Sequence, residues 1–149
     1  MKYQGSYCAL ITPFDQDRLD RRSYKNIIKW QILNGIKGII PCGTTGESPT
    51  LSHDEHKEII ELAVETANKE IQVMAGTGSN STSEAVSLTK HAKLSGADSA
   101  LVVVPYYNKP SQKGLYEHYI KIADSVDLPI FIYNIPGRSV VDINNDVIA

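Results

Sequence analysis

Residues 37–48 read KGIIPCGTTGES, an apolar run that passes directly into a turn rich in glycine and threonine. The β-branched residues of the run favour a β-strand. Comparable apolar runs recur about every 30 residues along the chain. We therefore predict five strands, at residues 7–13, 37–42, 71–76, 99–104 and 129–134.

Amphipathic stretches separate the predicted strands. Their apolar residues recur at spacings of three and four, as in a helix that buries one face. We predict helices at residues 20–35, 53–69, 82–95 and 112–126, and a last helix that begins near Asn144.

Polar residues and a glycine mark several helix ends. In a capping box, a serine or threonine and a glutamate three residues later satisfy each other's backbone N–H groups. Ser52 with Glu55, and Ser81 with Glu84, both fit this pattern. Gly96 stands where a left-handed residue would end a helix.

The alternation of strands and helices predicts a parallel sheet with right-handed crossovers. Two architectures are consistent with it, a flavodoxin-like open sheet and a (β/α)8 barrel. The glycine-rich segments do not distinguish the two architectures. Residues 76–81 lack the third glycine of the dinucleotide-binding motif GxGxxG, and residues 42–48 lack the lysine of a P-loop. A complete barrel takes roughly 200–250 residues, so five strands in 149 residues would form only part of one.

The composition narrows the classes of function. Hydrophobic residues are 42% and charged residues 21%, which is ordinary for a globular domain, and the net charge of −2 offers no basic surface for nucleic acid. We see no membrane span, signal peptide or disulfide framework, so we expect a single cytoplasmic domain.

His53 and His56 are three residues apart, unlike the HExxH motif, and the sequence predicts neither a metal nor a cofactor.

Each predicted strand runs into a polar segment at its carboxyl end. The segments are Thr12–Pro13, Gly43–Glu47, Gly76–Gly78, Tyr106–Asn108 and Tyr133–Arg138. In a parallel α/β fold these ends share one face, where active sites are built.

Three of these segments suit a small carboxylic acid. The hydroxyl and backbone N–H groups of Thr44 and Thr45 suit a carboxylate. The phenol of Tyr133 suits proton transfer, and the Arg138 guanidinium suits bidentate carboxylate binding. The alternatives are a solvated glycine-rich turn, a core tyrosine and a surface arginine.

Four segments, in this order and spacing, resemble signatures of the dihydrodipicolinate synthase family. They are GTTGE at 43–47, GTG at 76–78, PYYNKP at 105–110 and YNIPGR at 133–138. The resemblance covers essentially the whole chain and favours the barrel. It implies that residues 1–149 are the N-terminal, five-strand part of a TIM (β/α)8 barrel whose C-terminal part is absent.

The resemblance implies a lyase that condenses pyruvate with aspartate-4-semialdehyde, on the diaminopimelate route to lysine. Thr44 and Thr45 would bind the pyruvate carboxylate, and Arg138 the semialdehyde carboxylate. Tyr133, Thr44 and Tyr107 would form a proton relay, with Tyr107 supplied by a neighbouring subunit of a homotetramer. A further set would form a pocket in which lysine inhibits the enzyme: Ser48, His53, His56, Asn80, Glu84 and Tyr106.

The family's chemistry uses a Schiff-base lysine on the sixth strand, whose amine must be neutral to attack a keto group. Lys37 begins a strand at the opposite face, Lys109 lies in a loop, Lys2 is terminal, and the other lysines lie in or beside helices. We therefore predict that this chain alone is inactive and interpret it as part of a longer enzyme.

Two alternatives stay open. The chain could belong to another pyruvate-dependent aldolase of the superfamily, such as N-acetylneuraminate lyase or a 2-keto-3-deoxy sugar-acid aldolase. It could also be a non-catalytic half-barrel that associates through its exposed sheet edges. Thr45, the pair Tyr106 and Tyr107, and Arg138 favour the synthase.

Overall fold

A parallel five-stranded sheet organises the chain, in a computed structural model that describes residues 3–149. Its strands are β1 (Tyr7–Ala9), β4 (Gly38–Ile40), β5 (Gln72–Gly76), β6 (Ser99–Val103) and β7 (Ile130–Tyr133). The order across the sheet is β1-β4-β5-β6-β7, and every pairing is parallel. Each strand of the sheet therefore pairs with the one that follows it in the chain. In a flavodoxin-like sheet the first two strands in the chain exchange places in the order across the sheet. The sequential order found here is that of a barrel.

Four helices connect consecutive strands of this sheet, and they are α1 (Arg21–Leu33), α2 (His53–Ala67), α3 (Thr82–Ser95) and α4 (Gln112–Ala123). Two short helices, α5 (Pro136–Ser139) and α6 (Asn145–Ile148), follow the last strand. The five predicted strands and the five predicted helices are confirmed, with α3 beginning and ending at the predicted residues. The helix predicted at 112–126 ends earlier, at Ala123.

A small hairpin before α1 was not predicted. It consists of β2 (Phe14–Asp15) and β3 (Arg18–Leu19), which pair antiparallel. The two loop residues, Gln16 and Asp17, both have positive φ values, 48° and 60°, as a type I′ turn requires. The sequence lacks the Asn-Gly or Asp-Gly pair that is typical of such turns, so it does not predict the hairpin.

The core lies between the sheet and its helices. Ile39 of β4 and Val102 of β6 are fully buried against Ile28, Ile60 and Ile122 of the helices. Burial of each large aliphatic side chain contributes roughly 1.5–3 kcal/mol. The apolar faces that predicted the helices are thus the faces that hold them against the sheet.

One of the two predicted capping boxes is wrong. Ser52 and Glu55 form theirs at the start of α2, with both reciprocal bonds present. At α3 the side chain of Ser81 makes no capping bond. Glu84 instead accepts hydrogen bonds from Ser79 and from the ring of His53. Glu84 therefore binds Ser79 and His53 in place of forming the capping box with Ser81.

Within residues 3–149, the outer edges of β1 and β7 pair with no further strand. Ile11, just beyond β1, is 54% exposed. None of the helices in this part of the chain combines the length and apolar character needed to traverse a lipid bilayer.

We expect Gly76→Ala to lower the free energy of unfolding by about 3 kcal/mol, as overpacking against fixed backbone does. A Cβ at Gly76 would overlap the carbonyl of Cys42, which belongs to the neighbouring strand connection. Gly137→Ala is the matched control, since a Cβ there meets nothing within 4 Å. Urea unfolding followed by circular dichroism measures both variants, and equal stabilities would contradict the expectation.

Candidate functional site

A cavity of about 280 Å³ opens at the carboxyl ends of the strands. Thr44, Tyr133 and Arg138, predicted from three separate segments, all line it. Ser48 and Tyr106 line it as well. Four predicted hydroxyl-bearing residues and the one predicted guanidinium therefore converge on a single space.

A tight turn after β4 presents Thr44. Residues 44–46 form one turn of 3-10 helix, in which Gly46 N–H donates to the carbonyl of Gly43 over 3.1 Å. Glu47 N–H donates to the carbonyl of Thr44 over 3.1 Å. The backbone N–H groups of Thr44 and Thr45, at the start of the turn, make no hydrogen bond within it, as is general at the start of a helix.

The residues around this turn hold it in place. The hydroxyl of Thr12, which is 5% exposed, donates to the carbonyl of Gly46 over 2.8 Å. Cys42 and Glu47, on either side of the turn, have φ values of 55° and 60°. Non-glycine residues keep such conformations only where their surroundings fix them, commonly at functional sites. Thr45 is exposed on the same turn and does not itself line the cavity.

Tyr133 is the last residue of β7 and half-buried. Its carbonyl accepts from Val104 N–H over 3.1 Å, which fixes its backbone beside the end of β6. Tyr107 is different, because it is 87% exposed, has a φ of 72° and does not line the cavity of its own chain. Its role in a neighbouring subunit's site stays a prediction.

Arg138 lies in the short helix α5, which follows β7. Its backbone N–H donates to the carbonyl of Ile135 over 2.9 Å. Its neighbour Ser139 is 2% exposed and also lines the cavity. Ser139 is not among the residues predicted from the sequence, although it directly follows Arg138.

The remaining wall of the cavity is largely apolar. Leu101, Val103 and Ile135 supply it, together with Cys42. Burial raises the pKa of the Cys42 thiol to about 12, so the thiol stays protonated and is not a nucleophile at neutral pH. The hydroxyl groups of Thr44 and Tyr133 and the guanidinium of Arg138 therefore lie beside a largely apolar wall.

A second, smaller cavity of about 90 Å³ adjoins the first. Five of the six residues predicted for an effector pocket line it: Ser48, His53, His56, Glu84 and Tyr106. The sixth, Asn80, lies beside it and donates through Nδ2 to the carbonyl of Tyr106 over 3.2 Å.

Glu84 is the anionic group of the second cavity. The hydrogen bond from Ser79 holds the pKa of the Glu84 carboxyl below its usual range, and the contact with His53 acts in the same direction. The carboxylate is therefore ionised at neutral pH and can pair with an ammonium group.

His56 is buried at the back of the second cavity, at 4% exposure. Neither ring nitrogen makes a hydrogen bond of normal geometry to residues 3–149. Burial lowers the pKa of His56 to about 4, although the nearby Gly76 backbone opposes part of the effect. The imidazole is thus neutral at pH 7.

Four residues line both cavities. They are Ser48, Pro49, Gly78 and Tyr106. The two spaces are therefore separated by a partition made of shared side chains and backbone, here called the partition.

The fold is that of the N-terminal part of a (β/α)8 barrel, and comparison with known proteins identifies the family. Residues 2–149 match the family described as the dihydrodipicolinate synthetase family. The chain is 56% identical, over 99% of its length, to the 4-hydroxy-tetrahydrodipicolinate synthase of Syntrophobacter fumaroxidans. It is 59% identical, over 99% of its length, to that of Chelativorans sp.. The chain belongs to the dihydrodipicolinate synthetase family.

Solved structures agree with this assignment. The dihydrodipicolinate synthase of Aquifex aeolicus matches 98% of the chain with a TM-score of 0.97 and 56% identity. A synthase of Acinetobacter baumannii complexed with pyruvate matches 97% with a TM-score of 0.94 and 51% identity. One of Cyanidioschyzon merolae with lysine bound matches 96% with a TM-score of 0.91 and 39% identity.

The chain spans about half the length of the curated relatives that it matches, 50% of both of those named. It likewise covers 50% of each of the three solved chains. The five-stranded sheet is the N-terminal part of a TIM barrel of this family.

We expect His56 to make the fold less stable in acid. The unfolded chain protonates this histidine near pH 6.5, whereas the folded chain does so only near pH 4. Between these values the unfolded state binds more protons, so stability is lost as the pH falls.

Replacing the imidazole in His56→Leu should remove about 3 kcal/mol of the loss between pH 7 and pH 4. Urea unfolding at a series of pH values measures the difference between wild type and variant. Parallel stability curves for the two proteins would contradict a buried, neutral His56.

Proposed function

We propose that this protein acts in the condensation of pyruvate with aspartate-4-semialdehyde to 4-hydroxy-tetrahydrodipicolinate, a lyase-type step of diaminopimelate and lysine biosynthesis. The convergence of Thr44, Tyr133 and Arg138 on one cavity carries the proposal. Enamine chemistry needs proton transfers away from bulk water, and hydroxyl groups in a largely apolar cavity supply the means.

Each predicted residue has a role in this proposal. Thr44 and Thr45 bind the pyruvate carboxylate through hydroxyl and backbone N–H groups. Tyr133 and Thr44 relay protons together with Tyr107, which a neighbouring copy of the chain contributes. Arg138 holds the carboxylate of the semialdehyde. The high exposure of Tyr107 supports a role across an interface, and we propose a homotetramer.

The Schiff-base lysine comes, in this proposal, from sequence beyond residues 1–149, which form the N-terminal part of the barrel domain. None of the lysines among residues 3–149 lines the cavity, and Lys2 lies outside the described residues. We also propose a cytoplasmic location, which the free cysteines Cys8 and Cys42 support.

Borohydride trapping tests whether the Schiff-base lysine lies outside residues 1–149. We expect residues 1–149, produced alone and treated with pyruvate and sodium borohydride, to gain no covalent adduct by intact mass spectrometry. The complete product of the encoding gene should gain one pyruvyl adduct on a lysine outside these residues, since only a neutral, cavity-facing amine attacks the keto group. An adduct on a lysine of the isolated chain would refute this assignment.

A coupled assay tests the substrate. The complete gene product should consume aspartate-4-semialdehyde in the presence of pyruvate and should not cleave N-acetylneuraminate. The opposite preference would show that the chain belongs to a different aldolase of the superfamily.

The second cavity, we further propose, binds lysine as a feedback inhibitor. The carboxylate of Glu84 pairs with a ligand ammonium, and Ser48, His53, His56 and Asn80 supply polar contacts. The similar synthase of Cyanidioschyzon merolae was solved with lysine bound. The two cavities share the partition, so a ligand in the second cavity would contact residues that also line the proposed active site, which supports coupling between the two sites.

We expect Glu84→Gln to weaken lysine binding about tenfold or more, because a hydrogen bond to a charged partner is worth roughly 1.5–3 kcal/mol. Glutamine keeps the length of the side chain, removes the charge and replaces one acceptor oxygen by an NH2 group. Isothermal titration of the complete gene product with lysine gives the affinity. Glu61→Gln, which alters a carboxylate of α2 beside His91 on the surface, is the control. Equal affinities for all three proteins would rule out this pocket.

A further inference from the structure

The loop that carries Arg138 is closed at its base by Asn134. This residue directly follows β7, and its Nδ2 donates to Oδ1 of Asp142 over 2.7 Å. Its Oδ1 also accepts from the backbone N–H of Ile143, over 3.5 Å. One amide side chain therefore joins the two ends of residues 134–143.

Gln112 ties the same end of the loop to α4. Its Nε2 donates to the carbonyl of Asp142 over 2.8 Å, and its Oε1 accepts from Asn144 N–H over 3.0 Å. Gln112 is the first residue of α4, where the hydroxyl of Ser111 caps the helix through Gly114 N–H. We call the side chains of Gln112, Asn134 and Asp142 the clasp.

The interior of the loop is also fixed. The buried hydroxyl of Ser139 lies 3.0 Å from the carbonyl oxygen of Ile135 and 2.9 Å from that of Val141, and its single proton is shared between these two acceptors. Val140 has a φ of 60°, a conformation that a β-branched residue holds only when its surroundings impose it. Val141 and Ile143 are anchored in the core, at 6% and 4% exposure.

Arg138 thus projects from a segment that is tied at both ends, while its own side chain is exposed. A long guanidinium side chain binds a carboxylate in the bidentate mode only when its backbone is well placed. Fixing the backbone in advance lowers the entropic cost of binding. None of the clasp residues lines the cavity, so their influence must pass through the loop.

We propose that the clasp is a positioning device that sets Arg138 for the carboxylate of the second substrate. The assignment rests on the proposed function, in which that substrate is aspartate-4-semialdehyde. Asn134 is its central positioning residue, because it alone contacts both the side chain of Asp142 and the backbone of Ile143.

An exchange of the two clasp partners tests the proposal in the complete gene product. Asn134→Asp places two carboxylates against each other and breaks the contact. The double variant, Asn134→Asp with Asp142→Asn, restores one amide donor and one carboxylate acceptor in exchanged positions. An oxygen also remains at residue 134 to accept from Ile143.

We expect Asn134→Asp to raise KM for aspartate-4-semialdehyde about tenfold, because small misplacements of binding groups are costly. KM for pyruvate should change by less than about twofold, and the double variant should recover most of the loss. Asn144→Asp is the matched control. It adds the same charge nearby, at a residue whose side chain makes no capping bond and whose contact with the clasp is through its backbone.

Hydrogen exchange supplies a readout that does not need activity. The amides of Ile143 and Asn144 should exchange faster in Asn134→Asp and return to the wild-type rate in the double variant. Unchanged exchange in the single variant would overturn the clasp itself.

The kinetic outcomes separate the two proposals. A wild-type gene product that does not turn over aspartate-4-semialdehyde overturns the proposed function, and with it the substrate assigned to the clasp. An active wild type overturns the positioning role alone if Asn134→Asp keeps its KM, if the double variant fails to recover, or if Asn144→Asp is equally impaired.

Discussion

The parallel pairing of each sheet strand with its successor is the constraint on which the site depends. Because β4, β6 and β7 all run in one direction, the segments that follow them emerge at the same edge of the sheet. Thr44, Tyr106 and Arg138 are distant in sequence, yet they line one cavity for this reason. Burial of the core holds the strands in place. The turns that follow the strands then determine which side chains line the cavity.

Most of the sheet and its helices could be predicted from spacing alone. Burial of one helix face imposes a period of three to four residues, and buried strands impose apolar runs, so α3 could be placed at its true ends. That Thr44, Tyr133 and Arg138 lie on one face was also predictable, since strand ends in a parallel sheet share a face. The family resemblance was needed to select them from the other polar residues there.

Features decided by competition between distant groups could not be predicted. Glu84 had a local partner in Ser81, but the folded chain offers it Ser79 and the ring of His53 instead. The hairpin of β2 and β3 depends on a positive φ at both Gln16 and Asp17, and glutamine rarely adopts that conformation. The clasp likewise unites Gln112 of α4 with a loop some 30 residues later, at Asp142 and Asn144.

The partition has a consequence for inhibitor design. Ser48 and Tyr106 face both cavities at once, so a compound seated in either space touches the boundary of the other. In the proposed function, a molecule with an ammonium group for Glu84 and a carboxylate for Arg138 would occupy both spaces. Any side chain that replaces Ser48 or Tyr106 would change the lining of both cavities together.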